Sequence, residues 1–338
     1  SAASDVYKRQ PSDLVVAPQT TMDLVLGIAD EYVLDHVWAK LLPASRYSSA
    51  CAAHHMNALN STISQSEFVA KCGAPGQPMS WLPRDNIIRQ FLSLYVITYI
   101  GIILLYFSCA AFSYHFFFNK ELKKHPRFLK DQVKLEIQSS LRAFPWLDLL
   151  TVPWFVAEVR GYSRAYDRWD EYGLWYLILS VPLFLVFTDA CIYWVHRIEH
   201  HPLLYKHVHK PHHKWIVPTP FASHAFHPLD GYAQSLPYHI FPCIFPLNKL
   251  LFLCLFGFVN LWSIMIHDSD MINNTGFEKY INGPAHHTLH HLYFTCNYGQ
   301  YFTTCDRLFS SFREPQAEDD PVLEAQGVSR PTKDIKTQ

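Results

Sequence analysis

The stretch FLSLYVITYIGIILLYFSCAAFSYHFFF, residues 91 to 118, carries no Asp, Glu, Lys or Arg in 28 positions. About 20 apolar residues are enough for a helix to cross the hydrocarbon core of a bilayer. In lipid, backbone polar groups must be satisfied internally, so an isolated span has to be helical. The segment therefore predicts an all-α integral membrane protein. Composition agrees: 49% of the 338 residues are hydrophobic, 15% aromatic and only 17% charged, against about 25% charged in soluble domains. A formal net charge of -1 gives no broad basic field and argues against nucleic acid as a partner.

The flanks set an orientation. After the span comes NKELKKHPRFLKDQVK, with six Lys or Arg against two acids. The positive-inside rule assigns that loop to the cytosol and residues 22–86 to the lumen. Further spans are expected at LRAFPWLDLLTVPWFVAEV (141–159), which is weaker because it holds Pro145, Pro153 and Asp148, and at GLWYLILSVPLFLVFTDACIYWVH (173–196). The apolar run from 235 to 267 has a Pro-rich middle and reads as a helix pair that enters and returns on one side. About four membrane helices result, with every histidine cluster on the cytosolic face.

Residues 1–21 fit no element and read as leader or artefact, with Met22 the expected start. Residues 87–313 form the expected membrane-embedded domain. The polar stretch 314–338 is expected to be a disordered tail. Asn60 in NST could carry glycan if lumenal. The eight Cys show no C-x-x-C, which excludes zinc-ribbon and thioredoxin readings. Cys51 and Cys72 could pair in an oxidising lumen, although two isolated thiols is the simpler reading.

Histidine is the residue that points to chemistry. Fifteen of the 20 lie between His196 and His291. A chain needing positive charge would use Lys or Arg, whereas neutral imidazole is the commonest metal ligand. Three boxes stand out: HRIEH with His196 and His200, HKPHH with His209, His212 and His213, and HTLHH with His287, His290 and His291. Spacings of three and four put such rings on one helical face. The boxes offer eight imidazoles, whereas one tetrahedral zinc takes four ligands. The set suits two metals or one over-provided site, and histidine-rich sites with open positions point to iron and oxygen chemistry. The zincin pattern H-E-x-x-H is absent.

His227 in AFHPLDG and His267 in IHDSD could raise the ligand count to ten. For each, a hydrogen-bonded histidine near the headgroups is an equal alternative. His224 has no counterpart in the repeated pattern, so its replacement is expected to leave metal and product largely intact. Asp189 lies two turns before His196 inside an apolar span, where an acid is functional by default. It is expected to orient that imidazole. Asp230 and Asp268 are weaker candidates for such a role, and Glu199 reads as solvated.

With these residues in view, HRIEH, HKPHHKW and HTLHH, joined by TPFASHAFHPLDG and MIHDSD, resemble the fungal sterol C-5 desaturases of the fatty-acid hydroxylase superfamily. The likeness runs from Met22 to YFTTCDRLFSSFREP. It departs at Cys305, where Trp is expected, which bears only on local packing. The resemblance implies an endoplasmic-reticulum enzyme with two Fe ions that introduces the C5–C6 double bond into a delta-7 sterol in ergosterol synthesis. It also implies O2 as oxidant, with electrons from cytochrome b5 and its NADH-dependent reductase. A sister sterol C-4 methyl oxidase or lipid hydroxylase would use the same boxes. From another class, a zinc transporter would place its ligands at mid-membrane, whereas these boxes sit at helix ends and in loops.

Overall fold

The computed structural model describes residues 21–44, 80–271 and 276–328; Asn60, Cys51 and Cys72 lie outside them. Among the described residues nearly all the regular structure is helical. The N-terminal pair α1 (Thr21–Ala29) and α2 (Asp35–Leu41) precedes α3 (Ile87–Phe116) and α4 (Gln132–Val159). The following helices are α5 (Leu174–Glu199), α6 (Pro228–Ile244), α7 (Lys249–Ile266) and α8 (Pro284–Tyr293). Three of these, α3, α5 and α7, are long and apolar enough to cross a membrane.

The 91–118 segment lies almost wholly in α3, whose N-terminus is capped by Asn86, the side chain accepting from the N–H groups of Ile88 and Arg89. The expected 141–159 span belongs to a longer helix, α4, which runs unbroken through Pro145 and Pro153. A proline removes one ladder hydrogen bond, and neighbouring helices in a membrane bundle make that tolerable. With charged residues in its first half, α4 falls outside the long apolar set. The 235–267 run does divide into two helices, but unequally: α6 is short of an apolar span and α7 alone qualifies. The break is a two-residue strand, β2 (Leu247–Asn248), paired in parallel with β1 (Ala165–Tyr166).

Packing fixes the helices around an interior. Leu26 of α1 joins Leu94, Val152, Phe155 and Val156 in one apolar cluster. Arg89, buried at the start of α3, bridges Asp30 and Asp35 at 2.5 Å each, so the N-terminal helices are pinned to the bundle. Phe184, Ile192, Phe241, Phe252 and Val259 bind α5, α6 and α7 together. The basic loop after α3 packs Phe118 and Leu122 on Val217, and Gln132 Nε2 donates to the Val217 carbonyl at 2.8 Å. That loop therefore lies on the same side as the second histidine box.

The expectation of a disordered tail over 314–338 meets ordered structure in its first part, while residues 329–338 lie outside the described residues. Residues 314–328 hold a short helix, Pro321–Ala325. Val322 packs into the Phe118 cluster, and Asp319 binds Arg313 at 3.1 Å and accepts from the Tyr293 hydroxyl at 2.7 Å. Polar composition did not reveal that Val322 and Asp319 had partners waiting on the folded body.

Candidate metal centre

The sequence brings its boxes to one place by three means. His196, with its N-terminal neighbours on α5, emerges at the end of a membrane helix; His209, His212 and His213 follow on tight turns; His287, His290 and His291 share α8, whose first turn starts at Pro284. Nine imidazoles form two groups. His196, His200, His209, His213 and His290 offer ring nitrogens within 4.8 Å of one another, as do His212, His267, His287 and His291. All are buried except His200, which is partly covered.

The contacts are nitrogen against nitrogen. His213 Nε2 lies 3.1 Å from His200 Nε2, 3.0 Å from His209 Nε2 and 3.1 Å from His290 Nε2. In the second group His267 Nε2 lies 2.9 Å from His287 Nε2 and 3.3 Å from His212 Nε2, and His291 Nε2 is 3.1 Å from His287 Nε2. With metal–nitrogen bonds of about 2.1 Å, adjacent ligands at right angles would stand about 3.0 Å apart. Hydrogen bonds alone cannot satisfy such a cluster, because several lone pairs converge on one point.

The outer nitrogens explain the tautomers. His196 Nδ1 donates to the Tyr298 carbonyl at 3.0 Å, His290 Nδ1 to the Cys296 carbonyl at 2.8 Å, and His267 Nδ1 to the Ser263 carbonyl at 2.5 Å. His209 Nδ1 meets Asp230 Oδ2 at 2.8 Å. An Nδ1–H so engaged leaves Nε2 as the bare, inward-facing donor that a metal requires. Burial, reinforced by the neighbouring imidazoles, holds His200, His212, His213, His287, His290 and His291 below the ordinary histidine pKa. They are neutral, as metal ligands must be. Nine imidazoles in this arrangement could hold two metal ions.

All eight box histidines thus enter one group or the other, and His267 completes the second. His227 stands apart from both: its Nδ1 accepts from the Leu229 N–H at 3.2 Å and caps α6. Asp189 also differs from expectation, because Tyr298, not Asp189, occupies His196 Nδ1. Asp189 Oδ1 instead accepts from the backbone N–H groups of Gln300, Tyr301 and Phe302 at 3.0, 2.6 and 3.1 Å. Glu199, read as solvated, is buried with an oxygen 3.9 Å from His209 Nδ1, beside Asp230. The carbonyls of Tyr298 and Cys296 were beyond sequence reasoning, since every residue has one.

A cavity of about 410 Å³ ends against this centre. His196, His212, His267 and His287 close one end, and Ile97, Leu105, Phe144, Phe155 and Phe256 are among the apolar side chains around the remainder. The chamber lies among α3, α4, α6 and α7, with Val25 of α1 also on its wall.

Comparisons with known proteins agree with the geometry. The fatty acid hydroxylase family model matches residues 181–311, the region that contains all the boxes. A Delta(7)-sterol 5(6)-desaturase of Gibberella zeae is 50% identical over 306 residues, covering 90% of this chain and 93% of the relative. One from Schizosaccharomyces pombe is 49% identical over 298 residues, 88% of each chain. Human lathosterol oxidase is 53% identical over 242 residues, 71% of this chain and 81% of the relative. No solved structure matches.

Proposed function

The chain belongs to the family of Delta(7)-sterol 5(6)-desaturases, and on that premise we propose that it is an oxidoreductase introducing the C5–C6 double bond into a delta-7 sterol. The observation that carries this reading is the meeting of an apolar cavity among membrane helices with nine convergent imidazoles. A sterol dissolves in the bilayer and is a rigid apolar body with one polar end. Such a chamber can receive it and exclude water from the ring carbons facing the histidines.

The two groups, His196, His200, His209, His213 and His290, and His212, His267, His287 and His291, are proposed to hold two Fe ions. When bound, that pair supplies the oxidising power to draw hydrogen from an unactivated C–H bond with O2 as acceptor. The balance is fixed: the sterol loses two hydrogens, O2 becomes two waters, and two further electrons and two protons come from outside. Cytochrome b5 and its NADH-dependent reductase are the proposed electron source. The chain's own part is orientation. Asp230 and the carbonyls of Tyr298, Cys296 and Ser263 fix the tautomers of His209, His196, His290 and His267, while the cavity wall presents one edge of the sterol.

In this reading the protein resides in the endoplasmic-reticulum membrane with the boxes facing the cytosol. The basic 119–134 loop supports that side, since it packs against Val217 beside the second box. The test is sterol analysis by mass spectrometry after expression in cells lacking C-5 desaturation. Appearance of the C5–C6 double bond with the native chain, and its loss together with bound iron in His212→Ala, is expected. Delta-7 sterols that stay unchanged in cells making the metal-loaded protein would overturn the proposal.

A further inference from the structure

One polar pair on the cavity wall is left over from the metal centre. His224 ends the turn Pro220–His224, and its ring is wedged against Tyr106 and Phe144, with centroids 5.6 and 5.7 Å away. Its Nε2 lies 3.2 Å from Asn260 Oδ1, and its Nδ1 lies 2.9 Å from Ser223 Oγ. Both His224 and Asn260 line the cavity.

The hydrogens in this row do not balance. Asn260 Nδ2 donates to the Phe256 carbonyl at 2.7 Å, which fixes the amide so that its oxygen faces the imidazole. Ser223 Oγ has one hydrogen for two neighbours, the Pro220 carbonyl at 2.9 Å and His224 Nδ1 at 2.9 Å. Burial pushes its pKa down to about 4, so it is neutral and carries a single N–H. Two hydrogens, one on Ser223 and one on the imidazole, thus serve three acceptors: the Pro220 carbonyl, Asn260 Oδ1 and the bare imidazole nitrogen. A buried polar site in this condition lacks one donor, and a ligand hydroxyl would bring it.

Placement agrees with sterol chemistry. Asn260, Ser263 and His267 share one face of α7 at spacings of three and four, and all three line the cavity. The helical rise puts Asn260 about 10 Å along the axis from His267. In a sterol the C3 hydroxyl oxygen is only about 4 to 5 Å from C5 and C6, given bonds of about 1.5 Å. The hydroxyl must therefore sit close to the centre, with the reacting carbons between it and His267. Two other polar side chains on the wall are already engaged: Gln234 donates to Asp230 Oδ1 at 2.6 Å and Ser235 to the Tyr232 carbonyl at 2.8 Å. Asp148, which accepts from Thr98 Oγ1 at 2.7 Å, is a turn beyond Phe144. His239 is nine residues along α6 from Asp230.

We propose that His224 and Asn260 hold the C3 hydroxyl of the sterol and so decide which ring carbons face the histidine groups. This rests on the sterol reading above. Product formation, unlike metal binding, then depends on His224, contrary to the expectation from spacing alone.

The experiment compares a delta-7 sterol with its 3-deoxy analogue, in membranes holding the full chain and its electron donors. For the native protein kcat/KM should be about tenfold higher for the hydroxysterol, the worth of one hydrogen bond. Asn260→Leu and His224→Gln should keep the metal content, lose about tenfold on the hydroxysterol, and bring the two substrates nearly level. A native ratio near one, or variants that keep their metal and their preference, would overturn the proposal. Should either variant lose its metal, the native ratio decides alone. A native protein that desaturates neither sterol refutes the functional reading itself, whereas equal turnover of both refutes only the hydroxyl site.

Discussion

Removing the Asp189 carboxylate should slacken a loop before it disturbs a ligand. Its Oδ1 accepts from the N–H groups of Gln300, Tyr301 and Phe302, and Asp306 accepts from those of Tyr298 and Gly299, both at 2.8 Å. Two carboxylates thus hold five consecutive backbone donors, and the loop between them presents the Tyr298 carbonyl to His196. Asp189→Ala leaves three buried donors without an acceptor, each costing about 1 to 3 kcal/mol. Because the three share one oxygen, about 4 kcal/mol in total is a fairer figure than their sum. Asp189→Asn keeps an oxygen but not its charge; charge-assisted bonds are about twice as strong as neutral ones, so about 2 kcal/mol should go. The assay is thermal unfolding of detergent-purified protein, with metal content measured on the same samples. Expected is a graded fall in midpoint, native above Asn above Ala, with metal affinity of the five-histidine group reduced about 10- to 100-fold in the Ala variant. An Ala variant that unfolds at the native temperature would refute the loop argument. Equal metal loss in both variants at unchanged stability would instead restore a direct action on His196.

Other outcomes follow from the same geometry. Asp230→Ala removes the partner of His209 Nδ1 and should weaken metal binding by the five-histidine group about 10- to 100-fold; elemental analysis of protein loaded at limiting metal should then show less metal than in the native chain. His227→Ala removes a helix cap and should cost about 1 kcal/mol with no change in metal, which unfolding and metal analysis together check. His212, His213, His287, His290 and His291 have folded-state pKa values below their unfolded value of about 6.5. The unfolded chain therefore binds more protons, and stability present above pH 6.5 is lost as pH falls through and below it. Chelator-treated protein should show a midpoint that drops between about pH 6.5 and 4, and a flat profile there would contradict neutral burial.

Much of this could be read from residues in order. The uncharged run from Phe91 announced α3, and Pro-rich residues before Leu247 announced the break between α6 and α7. Spacing alone drew His196, His200, His209, His212, His213, His287, His290 and His291 to notice, since rings three or four apart share a helical face. What spacing could not reveal was allegiance: nothing in H-x-x-H-H says that the last two rings part company. His227 and His267 looked equal because each ends or begins a helix beside an acid, and only tertiary position makes one a cap and the other a member of a group. Asp189 was found for a sound reason, its burial in apolar sequence. Its partners are backbone groups more than a hundred residues away, and they leave no side-chain signature. Glu199 was misjudged because a charged residue at a helix end is normally wetted, and here the second box folds over it.

The parting of the doublets has a mechanical consequence. His212 and His213 are adjacent, yet they serve different groups, and the same holds for His290 and His291. Neighbouring Cα atoms are held about 3.8 Å apart by the peptide bond, so each doublet is a covalent ruler laid between the two centres. Two rulers from opposite sides of the site leave little freedom for one centre to drift from the other. An ion entering either group stiffens backbone that the second group shares, so loading should be cooperative and partial occupancy rare. Inserting a single residue within either doublet would break the gauge without removing any imidazole.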